Sequence, residues 1–183
     1  THKLLIKQIG DLFNMIEEKD FSHGLAISKL FLALSKNENF FSLILNEKNS
    51  SKYTLKIKKN KKNSLFKLRE EFYKIGLYIK ISNQRKSPWS YTFTKKHQED
   101  IDKSFKENDT TFIILVNSND GIVSLEYEEF RQLLDYNHED AERVSVFRKH
   151  NQSYRLSGRD GKFERTLRSN DFPKKIVNHI KNL

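Results

Sequence analysis

The chain has no cysteine, two prolines, six glycines and one tryptophan among its 183 residues. Without cysteine there is no disulfide, no thiolate zinc site and no cysteine nucleophile. Two prolines and six glycines leave no Pro/Gly-rich linker. Low-complexity sequence is confined to Lys58 through Asn63, and no internal repeat is visible. No apolar run approaches the roughly 18 residues of a membrane span, so no membrane partner is expected. The first residues lack a basic start, an apolar run and a small-residue cleavage site. The expectation is an intracellular protein (cytoplasmic, or with the nucleoid or nucleus) and not a secreted one.

Catalytic signatures are missing too. The sequence contains no Gly-x-x-x-x-Gly-Lys-Ser/Thr loop, no Gly-x-Gly-x-x-Gly, no His-Glu-x-x-His and no Gly-x-Ser-x-Gly. The 6 histidines are dispersed and form no ligand-spaced pair, so no metal ligands are assigned and no cofactor is expected.

What is present is charge, unevenly placed. Lys+Arg number 34 against 24 Asp+Glu, a net +10, and 36% hydrophobic residues suffice for a core. Residues 1–51 are neutral, 52–96 carry +12, 97–142 carry −10 and 143–183 carry +8. Asymmetry of this kind speaks to partners more than to fold.

Periodicity predicts a helical pair, over roughly 3–18 and 25–35, broken at Asp20 to Ser22. Phe40 to Leu45 and the alternating Tyr53, Leu55, Ile57 read as two strands expected to pair. Leu65, Leu68, Phe72 and Ile75 predict a helix ended by Gly76, followed by a strand over 77–81. Trp89, Tyr91 and Phe93 share one face of a strand, more often the core side than a stacking surface. A helix is expected over 97–107. Phe112 to Val116, apolar throughout, reads as a strand buried on both faces, and Asn119-Asp120-Gly121 turns it into a partner strand. A helix over 126–135, strands over 144–148, 153–157 and 162–167, and a final helix from Asp171 complete the pattern. Gly158-Arg159-Asp160-Gly161 is expected to be a tight hairpin turn. The fold class is α+β: a largely antiparallel or mixed sheet with packed helices, preceded by an N-terminal helical pair. Residues 1–51 form a helical N-terminal region and 52–183 a basic α+β domain, or the two are one continuous domain.

Three functions fit. The first is nucleic-acid binding, DNA before RNA, because cations that neutralise phosphates release counterions. Its lysine-rich patch would comprise Lys56 and Lys58 on a strand and Lys59, Lys61 and Lys62 in the following turn. Lys67, Arg69 and Lys74 would lie on the outer side of a helix, followed by Lys80, Arg85 and Lys86. Tyr78 is the aromatic placed to stack a base. An arginine-rich hairpin adds Arg148, Arg155, Arg159, Lys162 and Arg165, the arginines being planar forks suited to phosphates and base edges, on a ribbon able to enter a major groove. The bland alternative for both blocks is a solvated or internally paired basic surface.

The second is a magnesium-dependent, restriction-type nuclease using carboxylates of the acidic block, with Asp109, Asp120 and Glu126 as candidates. Magnesium is implied only on that reading. Asp109 and Asp120 flank one strand and stand some 25 Å apart, and each acid also has a local turn or helix-start role. The third is a charge-complementary adaptor whose acidic 97–142 block meets a second copy or a protein partner.

Overall fold

The computed structural model describes residues 18–36, 41–45, 51–58, 71–135, 137 and 140–183. The expected helix over 3–18 lies outside them, as do Lys59, Lys61, Lys62, Lys67 and Arg69.

Among the described residues, eight strands and four helices follow in order: α1 (Glu18–Leu34), β1 (Phe41–Leu45), β2 (Lys52–Lys58), β3 (Phe72–Ile81), β4 (Trp89–Phe93), α2 (Lys95–Glu107), β5 (Thr110–Asn117), β6 (Gly121–Glu126), α3 (Tyr127–Phe130), β7 (Glu142–Phe147), β8 (Arg155–Ser157) and α4 (Asp171–Lys181). Five strands form a mixed sheet in the order β1-β2-β3-β5-β6; β4, β7 and β8 form a second, antiparallel sheet. All pairings are antiparallel except β3 with β5. That parallel pair needs a crossover, which the β4–α2 segment supplies. The fold is α+β, as the pattern predicts.

The apolar run of β5 sits inside the large sheet, and Thr111 to Asn117 are all buried. Its alternate side chains serve two cores. Phe112, Ile114 and Val116 face one, with Leu55, Ile75, Leu77 and Ile79, Leu30 and Leu34 of α1, and Ile176 and Ile180 of α4. Ile113 and Leu115 face the other, with Ile101 of α2 and with Trp89, Tyr91, Phe93, Val144 and Val146 of the small sheet. Each fully buried side chain of this size contributes about 1.5–3 kcal/mol. The molecule is therefore layered: a helix pair, the large sheet, then α2 with the small sheet.

Four expectations need correction. The helix α1 runs unbroken through Asp20 to Ser22. Residues 72–76 are strand, because Phe72 to Gly76 pair with Thr54 to Lys58 of β2. Gly76 ends no helix; a Cβ there would collide with Ser104 and Thr111, so it admits α2 close to the sheet. The helix expected over 126–135 is one turn, α3. Residues 162–167 form no regular strand and touch their neighbours through isolated bridges, Ser157 with Lys162 and Tyr154 with Leu167.

Candidate functional site

Among the described residues, the outward face of the small sheet is basic and carries no acid. Glu142, Val144 and Val146 of β7 point inward, so Arg143, Ser145 and Phe147 point out. Arg143 pairs in register with Thr92, Ser145 with Ser90 and Ser157, and Phe147 with Arg155. Directly opposed residues of an antiparallel pair share a face. Phe147 therefore lies beside Arg155 and is 42% exposed, an aromatic ring left outside the core.

Where this face meets the 162–166 segment it forms a cleft of about 770 Å³. Arg148, Lys149, Arg155, Lys162 and Arg165 line it, with Phe147 and one acid, Glu164. Two of these cations are anchored. Arg148 ion-pairs with Asp120 at 3.2 Å and its Nη1 donates to the Tyr154 hydroxyl at 3.0 Å. Tyr154 in turn donates to Asp120 Oδ2 at 2.6 Å. Burial first, and then the hydrogen bond to Asp120, pushes the Tyr154 hydroxyl up to about 12, so it stays protonated and donating. Arg165 reaches back to Glu129, which Lys175 also engages, and stacks near the Phe163 ring, yet most of its side chain is exposed. Lys149, Arg155 and Lys162 are exposed to solvent.

The two basic blocks meet here in part. The Arg148 amide donates to Ser87 Oγ at 2.9 Å, and Ser87 lines the cleft. Arg85 and Lys86, both exposed, precede Ser87 directly. Lys56 and Lys74 lie opposite one another across β2 and β3, toward the other end of β3. Lys74 is a strand residue and not a helix residue, and Lys58 sits at the end of β2.

Two residues proposed for the surface are not on it. Tyr78 is 4% exposed and packs edge-on toward His97 with centroids 6.5 Å apart, so no base can stack on it. Burial holds its hydroxyl well above the usual tyrosine range. Lys80 is half-buried, with its ammonium over the Phe93 ring and donating to His97 Nδ1 at 3.0 Å. The same nitrogen accepts from the Thr94 amide at 3.2 Å, which fixes the imidazole proton on Nε2. Burial lowers the Lys80 ammonium to about 8. Trp89, Tyr91 and Phe93 are core residues.

The hairpin around Arg159 is not a ribbon that could enter a groove. Its turn is pressed on the chain at 132–133, where a Cβ on Gly158 would overlap the Leu133 carbonyl and one on Gly161 the Gln132 carbonyl.

The three candidate carboxylates do not share a site. Asp109 accepts from the Lys74 amide at 2.7 Å as β5 begins. Asp120 is held by Tyr154 and Arg148 just past its other end. Glu126 closes β6 beside Phe112, and its amide donates to Glu129 at 2.9 Å. Instead, among the described residues, one group of acids is placed to hold a metal: Asp135, Glu142 and Asp160, each offering an oxygen within 4.8 Å of the others. Nothing local in the sequence marks it, since Asp135 and Glu142 belong to the acidic block and Asp160 to a turn in the second basic block.

The acidic block presents no single-sign face on α2. Its exposed residues there, Glu99, Lys103, Lys106 and Glu107, mix both signs. Asp100 is taken up by Lys52 at 3.0 Å and Asp102 by the Tyr127 hydroxyl at 2.9 Å. No helix among the described residues is long and apolar enough to cross a membrane.

No protein-family model matches the chain. No curated protein and no solved structure matches it either.

Proposed function

We propose that the chain binds a nucleic-acid strand in the cleft beside the small sheet. The observation that carries this reading is the lining itself: five cations against one acid, with an exposed phenylalanine at the edge. Lys149, Arg155 and Lys162 take phosphates, and each contact releases condensed counterions. Arg165, its side chain largely exposed, contributes charge beside its contact with Glu129, while Arg148, tied to Asp120 and Tyr154, positions the wall. Phe147 offers a ring on which one base stacks, worth about 1–3 kcal/mol. Arg85 and Lys86 extend the charge along the strand's path. Contacts of this type favour backbone over sequence.

Anisotropy of labelled single-stranded DNA, duplex DNA and RNA, titrated at several salt concentrations, tests it. Three to four phosphate contacts give a log–log salt slope of about −2 to −4. No binding at low salt, or a flat slope, contradicts the proposal.

A further inference from the structure

Asp135, Glu142 and Asp160 converge on a small cavity of about 80 Å³ which Asn137, Asp140 and Arg159 complete. Glu142 is 2% exposed and lines this cavity, and among the described residues neither of its carboxylate oxygens meets a donor in good hydrogen-bond geometry; the groups facing it are the Asp160 carboxyl and the Asp135 backbone. A buried carboxylate left unpartnered beside two more acids is costly unless something neutralises it. Among the described residues, the one cation on the cavity wall is Arg159, which lies 3.7 Å from Asp140.

We infer that Asp135, Glu142 and Asp160 form a binding site for one hard divalent cation of the calcium, manganese or magnesium class. Oxygen ligands at about 2.0–2.6 Å from such an ion stand no more than about 4–5 Å apart across it. The observed limit of 4.8 Å between ligand atoms agrees. An all-oxygen donor set selects hard ions, and no histidine or thiolate among the described residues joins the set to favour zinc. The group is held together by backbone. The Asp135 amide donates to Asp160 Oδ2 at 3.2 Å, and Asp135 Oδ1 accepts from the Asn137 amide at 2.7 Å. The close approach of Gly158 and Gly161 to residues 132–133 brings the Asp160 turn there. A bound ion ties three segments: the loop after α3, the start of β7 and the 158–161 turn. This site stands apart from the nucleic-acid reading, which none of its three acids serves.

Manganese titration of the full chain, followed by electron paramagnetic resonance of the unbound ion, counts and ranks the site. Calcium and magnesium are added as competitors. The inference predicts one bound manganese ion, displaced by at least one of the two. Asp160→Asn, in an exposed turn, and Glu142→Gln each weaken it at least tenfold. Circular dichroism of both variants shows whether they fold, and Asp160→Asn carries the test alone if Glu142→Gln does not. No saturable manganese binding, or binding unchanged in folded Asp160→Asn, overturns the inference. So does a midpoint of thermal unfolding that no divalent ion raises above a salt-matched control.

Discussion

Gly158 lies against the carbonyl of Leu133 so closely that a Cβ at this position would overlap it. Backbone on both sides leaves no flexible side chain to yield. Gly158→Ala is therefore expected to destabilise the fold by about 1–3 kcal/mol or more. Gly24 is the control: it lies inside α1 and a Cβ there meets nothing within 4 Å. Gly24→Ala should stabilise by about 0.5–1 kcal/mol through helix propensity. Urea denaturation of the two variants checks both signs.

Tyr154 joins the end of β5 to the cleft by donating to Asp120 and accepting from Arg148. Tyr154→Phe keeps the buried ring but removes both hydrogen bonds. A loss of about 1–2 kcal/mol in unfolding free energy is expected. Arg148 also contacts Asp120 directly, at 3.2 Å, so nucleic-acid affinity should fall less than when a cleft cation is removed.

Lys80 sets a pH dependence. Its ammonium is lowered to about 8 by burial, from 10.5, and burial lowers Lys175 to about 8 as well, so the two share the same window. Below pH 8 the folded state holds a desolvated charge. Between 8 and 10.5 the unfolded chain binds the proton and the folded one does not, so stability rises with pH across that window. Tyr154 acts oppositely: raised from 10.0 to about 12, it keeps its proton in the folded state, and stability falls as pH passes 10. Urea unfolding from pH 7 to 11 should show the rise shrink in Lys80→Met. An unchanged rise in the variant would assign it to other groups.

Much of the fold is legible in the sequence because its cause is local. The unbroken apolar run of β5 announces burial on both faces, and Asn119-Asp120-Gly121 announces the turn into β6. Gly76 misleads because glycine ends helices and also admits close neighbours. The contacts that decide, Ser104 and Thr111, are distant in sequence. Tyr78 misleads similarly: alternation places it away from Leu77 and Ile79, but that side of the sheet is covered too. The arginines of the cleft are legible as a charge block. Their convergence with Arg85 and Lys86 is not, since it depends on the Ser87–Arg148 hydrogen bond. The acid cluster is hidden entirely, because it is assembled by glycine-mediated contact between two loops.

The most direct test of the cleft as the nucleic-acid surface compares two charge-neutralised variants in one binding assay. Arg155→Gln with Lys162→Gln removes two cleft cations; Lys56→Gln with Lys74→Gln removes two opposed cations toward the far end of β3. The cleft variant should lose about tenfold or more in affinity at low salt, with a salt slope shallower by about 1.5–2. The β2–β3 variant should stay close to the unaltered chain. Equal losses in both, or a cleft variant that binds unchanged, would contradict the account.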